Sequence, residues 1–156
     1  MRRNARRTSG CSDRGQTLIE FAFIAPLIFL FLFVIVDFGI ALDRRITLQH
    51  AVREGARYGA VSASAAAIQN ATVGQAQGLV DAGGVTVCYE DTAFDANSTV
   101  GDVGDAVRVQ AAFSYQFPIL SELWTAFGGS PLTIDMSPQA TGRLELSVPG
   151  ATPCAP

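Results

Sequence analysis

The chain has 156 residues, of which 49% are apolar and only 16% charged, and a formal net charge of −3. Soluble domains carry nearer a quarter charged residues, so this composition excludes a disordered chain and argues against one that meets water on every side. All 11 basic residues are arginine, and five of them (Arg2, Arg3, Arg6, Arg7 and Arg14) crowd into the first fifteen positions ahead of an acidic remainder. The positive charge therefore sits in a short tail and not across a folded face, and no nucleic-acid partner is expected.

The first element is an apolar helix. Residues 21–36, FAFIAPLIFLFLFVIV, hold no charged or polar side chain; the run resumes after Asp37 as Phe38-Gly39-Ile40-Ala41-Leu42 and stops at Asp43-Arg44-Arg45. As a helix, residues 21–42 span roughly 33 Å, enough to cross a hydrocarbon core of about 30 Å. Five Arg precede the run and two follow it, so the positive-inside rule places the N-terminus in the cytoplasm and residues 43–156 outside. Two other readings stay open. One is a buried core helix. The other is a secretory signal cut after Gly39-Ile40-Ala41, although the run exceeds the usual 7–15 or so apolar residues and contains Asp37, with Glu20 at its edge. Pro26 removes a backbone donor and predicts an interruption or kink in the early helix.

Past Leu42 the pattern stays helical to about Ser62. Small residues recur every four positions at Ala51, Gly55, Gly59 and Ala63, a ribbon that lets another backbone approach closely, either the chain's own sheet or a neighbouring subunit. Residues 64–80 predict a second, weakly amphipathic helix that Gly83-Gly84 ends. Strands follow at 85–89 and, with strict period-two alternation, at 107–117. Residues 119–127 place Ile119, Leu120, Leu123, Trp124 and Phe127 at helical spacing, predicting a short helix or buried loop. Leu132, Ile134 and Met136 form a further strand, and 139–147 the last, with Leu144 and Leu146 facing inward. Short links between consecutive strands predict an antiparallel sheet in an α+β head. The acids Glu90, Asp91, Asp95, Asp102 and Asp105 read as a solvated loop whose spacing matches no EF-hand, so neither metal nor cofactor is expected. His50 is the only histidine, and the chain offers no nucleophile–base set or phosphate loop; it is not expected to be an enzyme.

A carboxylate at the edge of an apolar run is costly without a partner, which makes Glu20 informative. It lies in Gly15-Gln16-Thr17-Leu18-Ile19-Glu20-Phe21: a glycine closing a basic leader, a glutamate five residues on, and an aromatic next. This pattern resembles the cleavage motif of type IV pilins and pseudopilins. With Pro26-Leu27, Asp37-Phe38-Gly39 and the stretch Ala51-Val52-Arg53-Glu54-Gly55-Ala56-Arg57-Tyr58-Gly59-Ala60, residues 15–60 resemble the TadE-like family of Flp (tight-adherence) pilus assembly. Relatives in that family often carry a basic residue just after the glycine matching Gly39; here that position is Ile40, and Arg44-Arg45 come about a turn later.

The resemblance implies a leader at 1–15, a transmembrane helix at 16–42, a periplasmic continuation of that helix at 43–66, and a pilin-like α+β head at 67–156 with an antiparallel sheet. It implies a prepilin peptidase cutting between Gly15 and Gln16, with Glu20 and Phe21 completing the recognition motif. The new ammonium of Gln16 would then pair with Glu20, an attraction far stronger near a low-dielectric phase than in water. The implied partners are the bacterial inner membrane, that peptidase, other pilins or pseudopilins and the assembly platform, for a single-pass protein with a cytoplasmic N-terminus and a periplasmic head. Cys11 would leave with the leader; Cys88 and Cys154 remain and, in an oxidising compartment, predict a disulfide. The alternative is an uncleaved, membrane-anchored binding protein.

Overall fold

The computed structural model describes residues 13–61, 64–92 and 99–155. Its first helix, α1, runs from Asp13 to Gly59, 47 residues or about 70 Å. Pro26 lies inside it without ending it. The missing proline N–H leaves the carbonyl one turn earlier without its helical donor, but the turns on either side hold the helix together. The most apolar eighteen-residue window of α1 is entirely unburied, which removes the core-helix reading. Burial begins at Asp37 and follows one stripe: Asp37, Ala41, Leu48, Ala51, Val52, Gly55, Ala56 and Gly59. Steps of three and four keep these residues on one helix face.

The helix stops at Gly59, short of the expected 62–66. Ala60 N–H still bonds the Ala56 carbonyl, but Val61 N–H tightens onto Tyr58, and the Ala60 carbonyl accepts the Glu145 N–H at 2.8 Å. The last turn is thus diverted into the head. Helix α2 is Ala65–Gln75, capped by the Ser64 side chain accepting from Ala67 N–H. It ends five residues before the expected Val80, because Gln77 and Gly78 both take the left-handed conformation, φ 52° and 78°. A 3-10 turn at Ala82–Gly84 leads into the first strand.

Strands β1 (Val85–Glu90), β2 (Ala106–Ala111) and β5 (Gln139–Arg143) make an antiparallel sheet ordered β1-β2-β5, with Val87 opposite Val109 and Val109 opposite Ala140. The strand predicted across 107–117 divides at Ala112, whose N–H turns to the Gly84 carbonyl at 2.8 Å. Its second half, β3 (Phe113–Gln116), pairs with β4 (Thr133–Met136) in a separate two-stranded sheet. Between them lies α3, Leu120–Ala126. The layout is α+β, as expected.

Two apolar clusters result. The larger holds Leu48, Val52, Ile68, Val107, Val109 and Leu144, between α1, α2 and the main sheet. The smaller joins Ala41 of α1 to Tyr115 and Met136. Leu146 does not turn inward as expected: β5 ends at Arg143, the alternation lapses, and Leu146 is 54% exposed. The C-terminal tail lies along β1, Tyr89 donating to the Thr152 carbonyl and accepting from Cys154 N–H, and a disulfide joins Cys88 to Cys154.

Candidate functional site

Three features of α1 bear on function, and they follow one another along the helix. At its start, Gly15 and Gln16 occupy the first turn, exposed. The Gln16 carboxamide donates to a Glu20 carboxylate oxygen at 3.2 Å, one turn on. The side chain of Gln16 thus sits beside the carboxylate of Glu20. Phe21 projects outward, as do most side chains up to Val36. Residues 1–12 of the expected leader at 1–15, with Cys11, lie outside the described residues.

The second feature is Asp37. Its sequence motif is plain, but no partner for it could be read locally. The structure supplies one 82 residues away. Asp37 Oδ2 accepts the backbone N–H groups of Ile119 at 3.1 Å and Leu120 at 2.7 Å. Ile119, the N-cap residue of α3, has no side-chain capping bond of its own, so Asp37 provides the cap from another element. A carboxylate is the best such acceptor, because it also opposes the positive end of the helix dipole. Asp37 is fully buried, and its Oδ1 and the Tyr115 hydroxyl lack hydrogen-bond partners among the described residues. Burial pushes the Tyr115 phenol above its ordinary range; the Asp37 charge pushes the same way and Arg44 pulls back. Arg44 thus acts on this cluster from nearly two turns further along α1. Around it, the Phe38 and Phe117 rings lie 5.7 Å apart, and Phe117 meets Tyr115 edge-on at 5.4 Å.

The third feature is the small-residue ribbon, which meets the chain's own head. A Cβ on Gly55 would overlap the Thr72 hydroxyl and come within 3.3 Å of Val109. One on Gly59 would stand 3.1 Å from Val107 and 3.2 Å from Ile68. Ala51 is fully buried, and Ala63 lies outside the described residues. Thr72 also donates its hydroxyl to the Ile68 carbonyl at 2.9 Å, so it has little freedom to retreat.

Of the acidic loop, Asp95 lies outside the described residues, and Asp105 is not solvated as expected. It is buried, its Oδ2 accepting from Gly101 and Asp102 N–H and its Oδ1 from Thr92 N–H, at 3.0–3.3 Å. A short acid in a turn satisfies backbone donors more readily than it holds a cation. Among the described residues no three His, Cys, Asp or Glu side chains converge as a metal site. Of the two readings of 119–127, the short helix is the one found, as α3. Its only buried side chain is Ser121, whose hydroxyl bonds Gln116 and Leu132, while Leu123 and Trp124 are exposed.

No curated protein and no solved structure matches the chain. Residues 15–57, just over a quarter of the length, match the model of the family described as TadE-like protein. The segment that carries Gly15, Glu20, the apolar helix, Asp37 and Gly55 is thereby TadE-like.

Proposed function

We propose that this chain is a non-catalytic pseudopilin, held in the bacterial inner membrane by α1, that takes part in assembling a Tad (Flp) pilus after a prepilin peptidase cuts between Gly15 and Gln16. The observation that carries this reading is the coincidence of the TadE-like match, residues 15–57, with one structural unit. That stretch contains the processing motif, the exposed apolar helix and the face on which the head is built. Its boundary at 57 falls two residues before α1 ends at Gly59.

The physical sequence is simple. The arginine leader holds the N-terminus in the cytoplasm, and the head emerges on the oxidising side, where the Cys88–Cys154 bond is stable. Cleavage removes the leader but leaves the anchor. Gln16 then offers an ammonium one helical turn from Glu20, and two opposite charges at the edge of a low-dielectric phase are each expensive alone. Other pilin-type subunits and the assembly platform are the partners this reading requires.

Mass measurement of the membrane-extracted chain tests it. A polypeptide starting at Gln16 is expected in cells that have the peptidase. Gly15→Val should leave Met1 in place and abolish piliation. An intact Met1 in piliated wild-type cells would favour the uncleaved binding protein instead.

A further inference from the structure

Among the described residues, the outward face of α3 is an apolar surface that the anchor does not account for. Trp124 is 53% exposed and Phe127 81%, with Leu123 beside them, on a helix that buries only a serine. The Trp124 indole is half-covered by Gly129, while Leu123 and the C-cap residue Phe127 face outward, an apolar face on a helix whose one buried side chain is a hydroxyl. Its position supplies the reason. Leu120 N–H is held 2.7 Å from Asp37, which follows the uninterrupted run at Val36 and stands five residues, about 8 Å along the axis, before the apolar stretch ends at Leu42. Seven helical residues cover about 10 Å, so all of α3 stays within roughly that distance of Asp37. The headgroup layer adds about 5–7 Å on each side of the hydrocarbon core, so α3 lies within reach of the boundary between the two. The surface is also continuous with α1. Phe38, half-exposed on α1, packs at a tilt against Phe117, and Phe117 N–H bonds the carbonyl of Leu132, itself exposed beside Ile134. The exposed acids Glu122 and Asp135 and the exposed Arg45 border this surface, which suits the polar interface better than the hydrocarbon.

We propose that α3 and the Phe127 turn are a second membrane contact, an interfacial aromatic wedge that seats the head on the headgroup layer beside α1. The occupant is the lipid surface. Tryptophan and phenylalanine on one side of a short amphipathic helix are what that layer selects. The inference rests on α1 being the anchor, and Asp37 is the joint that sets the depth of the wedge against the span.

Trp124 is the only tryptophan in the chain, so its fluorescence reports the contact directly. The full chain is reconstituted in phosphatidylcholine–phosphatidylglycerol vesicles with plain or brominated acyl chains. A W124F/F31W variant, with its probe in the exposed part of α1, reports the anchor in the same vesicles. The expected result is Trp124 emission at least twofold lower in brominated vesicles, shifted to shorter wavelength and weakly sensitive to aqueous iodide. Adding F127S is expected to cut that quenching by half or more. Trp124 emission equal in both vesicles, with the W124F/F31W probe quenched, overturns the wedge and leaves the anchor standing. If iodide then quenches Trp124, the face is in water; if iodide does not, a protein covers it. Absence of bromine quenching at both probes overturns the anchor and the wedge together.

Discussion

Asp37 shows how much one side chain can decide. Replacing it by Ala leaves two N–H groups of α3 without an acceptor inside a buried contact, a loss of about 1–2 kcal/mol. The effect should concentrate at Ile119 and Leu120, whose amide exchange is expected to speed up about tenfold, while the sheet amides of Val107 and Val109 stay protected. Asp37→Asn keeps an oxygen acceptor and should lose less. The glycines make an opposed pair. Gly55→Ala gains helix propensity of about 1 kcal/mol, but its Cβ meets Thr72 and Val109, so a net destabilisation of about 1–2 kcal/mol is expected in denaturant titration. Gly74→Ala, on an exposed face of α2 with nothing near its Cβ, should instead stabilise by up to about 1 kcal/mol. Equal and small effects at both sites would mean that the close approach at Gly55 is not tight.

At the scale of elements, the long helix was legible because its signals are local: an unbroken apolar run, a stop at Asp43-Arg44-Arg45, and small residues every four positions. Strand β1 was legible in kind and extent; helix α2 was legible in kind but not in extent, since the left-handed residues Gln77 and Gly78 end α2 on backbone conformation that side-chain periodicity does not report. The division of the predicted 107–117 strand at Ala112 left no mark in the alternation. Both halves keep period two; what changes is the partner, β1 and β5 for one and β4 for the other. Helix α3 was legible in kind, as a short helix within 119–127, but helical spacing names an apolar face without naming what that face meets, so its orientation was not legible.

Across the whole molecule, the head is held closed by its ends. The Cys88–Cys154 bond joins residues 66 apart and keeps the tail on the edge of β1. In the chain-entropy account such a link is worth about 4 kcal/mol. Reductant should therefore lower the melting temperature of the detergent-solubilised protein markedly; an unchanged melting curve with both thiols labelled would show that β1 keeps its edge without the bond. High pH should also loosen the head. Burial raises the phenol pKa of Tyr89, and burial together with the nearby Asp37 raises that of Tyr115. A raised folded pKa contributes stability that is complete below the unfolded value near 10 and fades as pH climbs through the folded one. Phenolate absorbance is expected to rise together with loss of near-ultraviolet circular dichroism above about pH 10. The apolar helix, the TadE-like segment with Gly15 and Glu20, and the α+β character could be read without coordinates, because each depends on residues within a few turns of one another. Where Asp37 finds its donors, which backbone the glycines admit and which way Trp124 faces depend on contacts between positions up to 83 apart. Such contacts exist only once the head has closed onto α1, and no pattern along the chain encodes them.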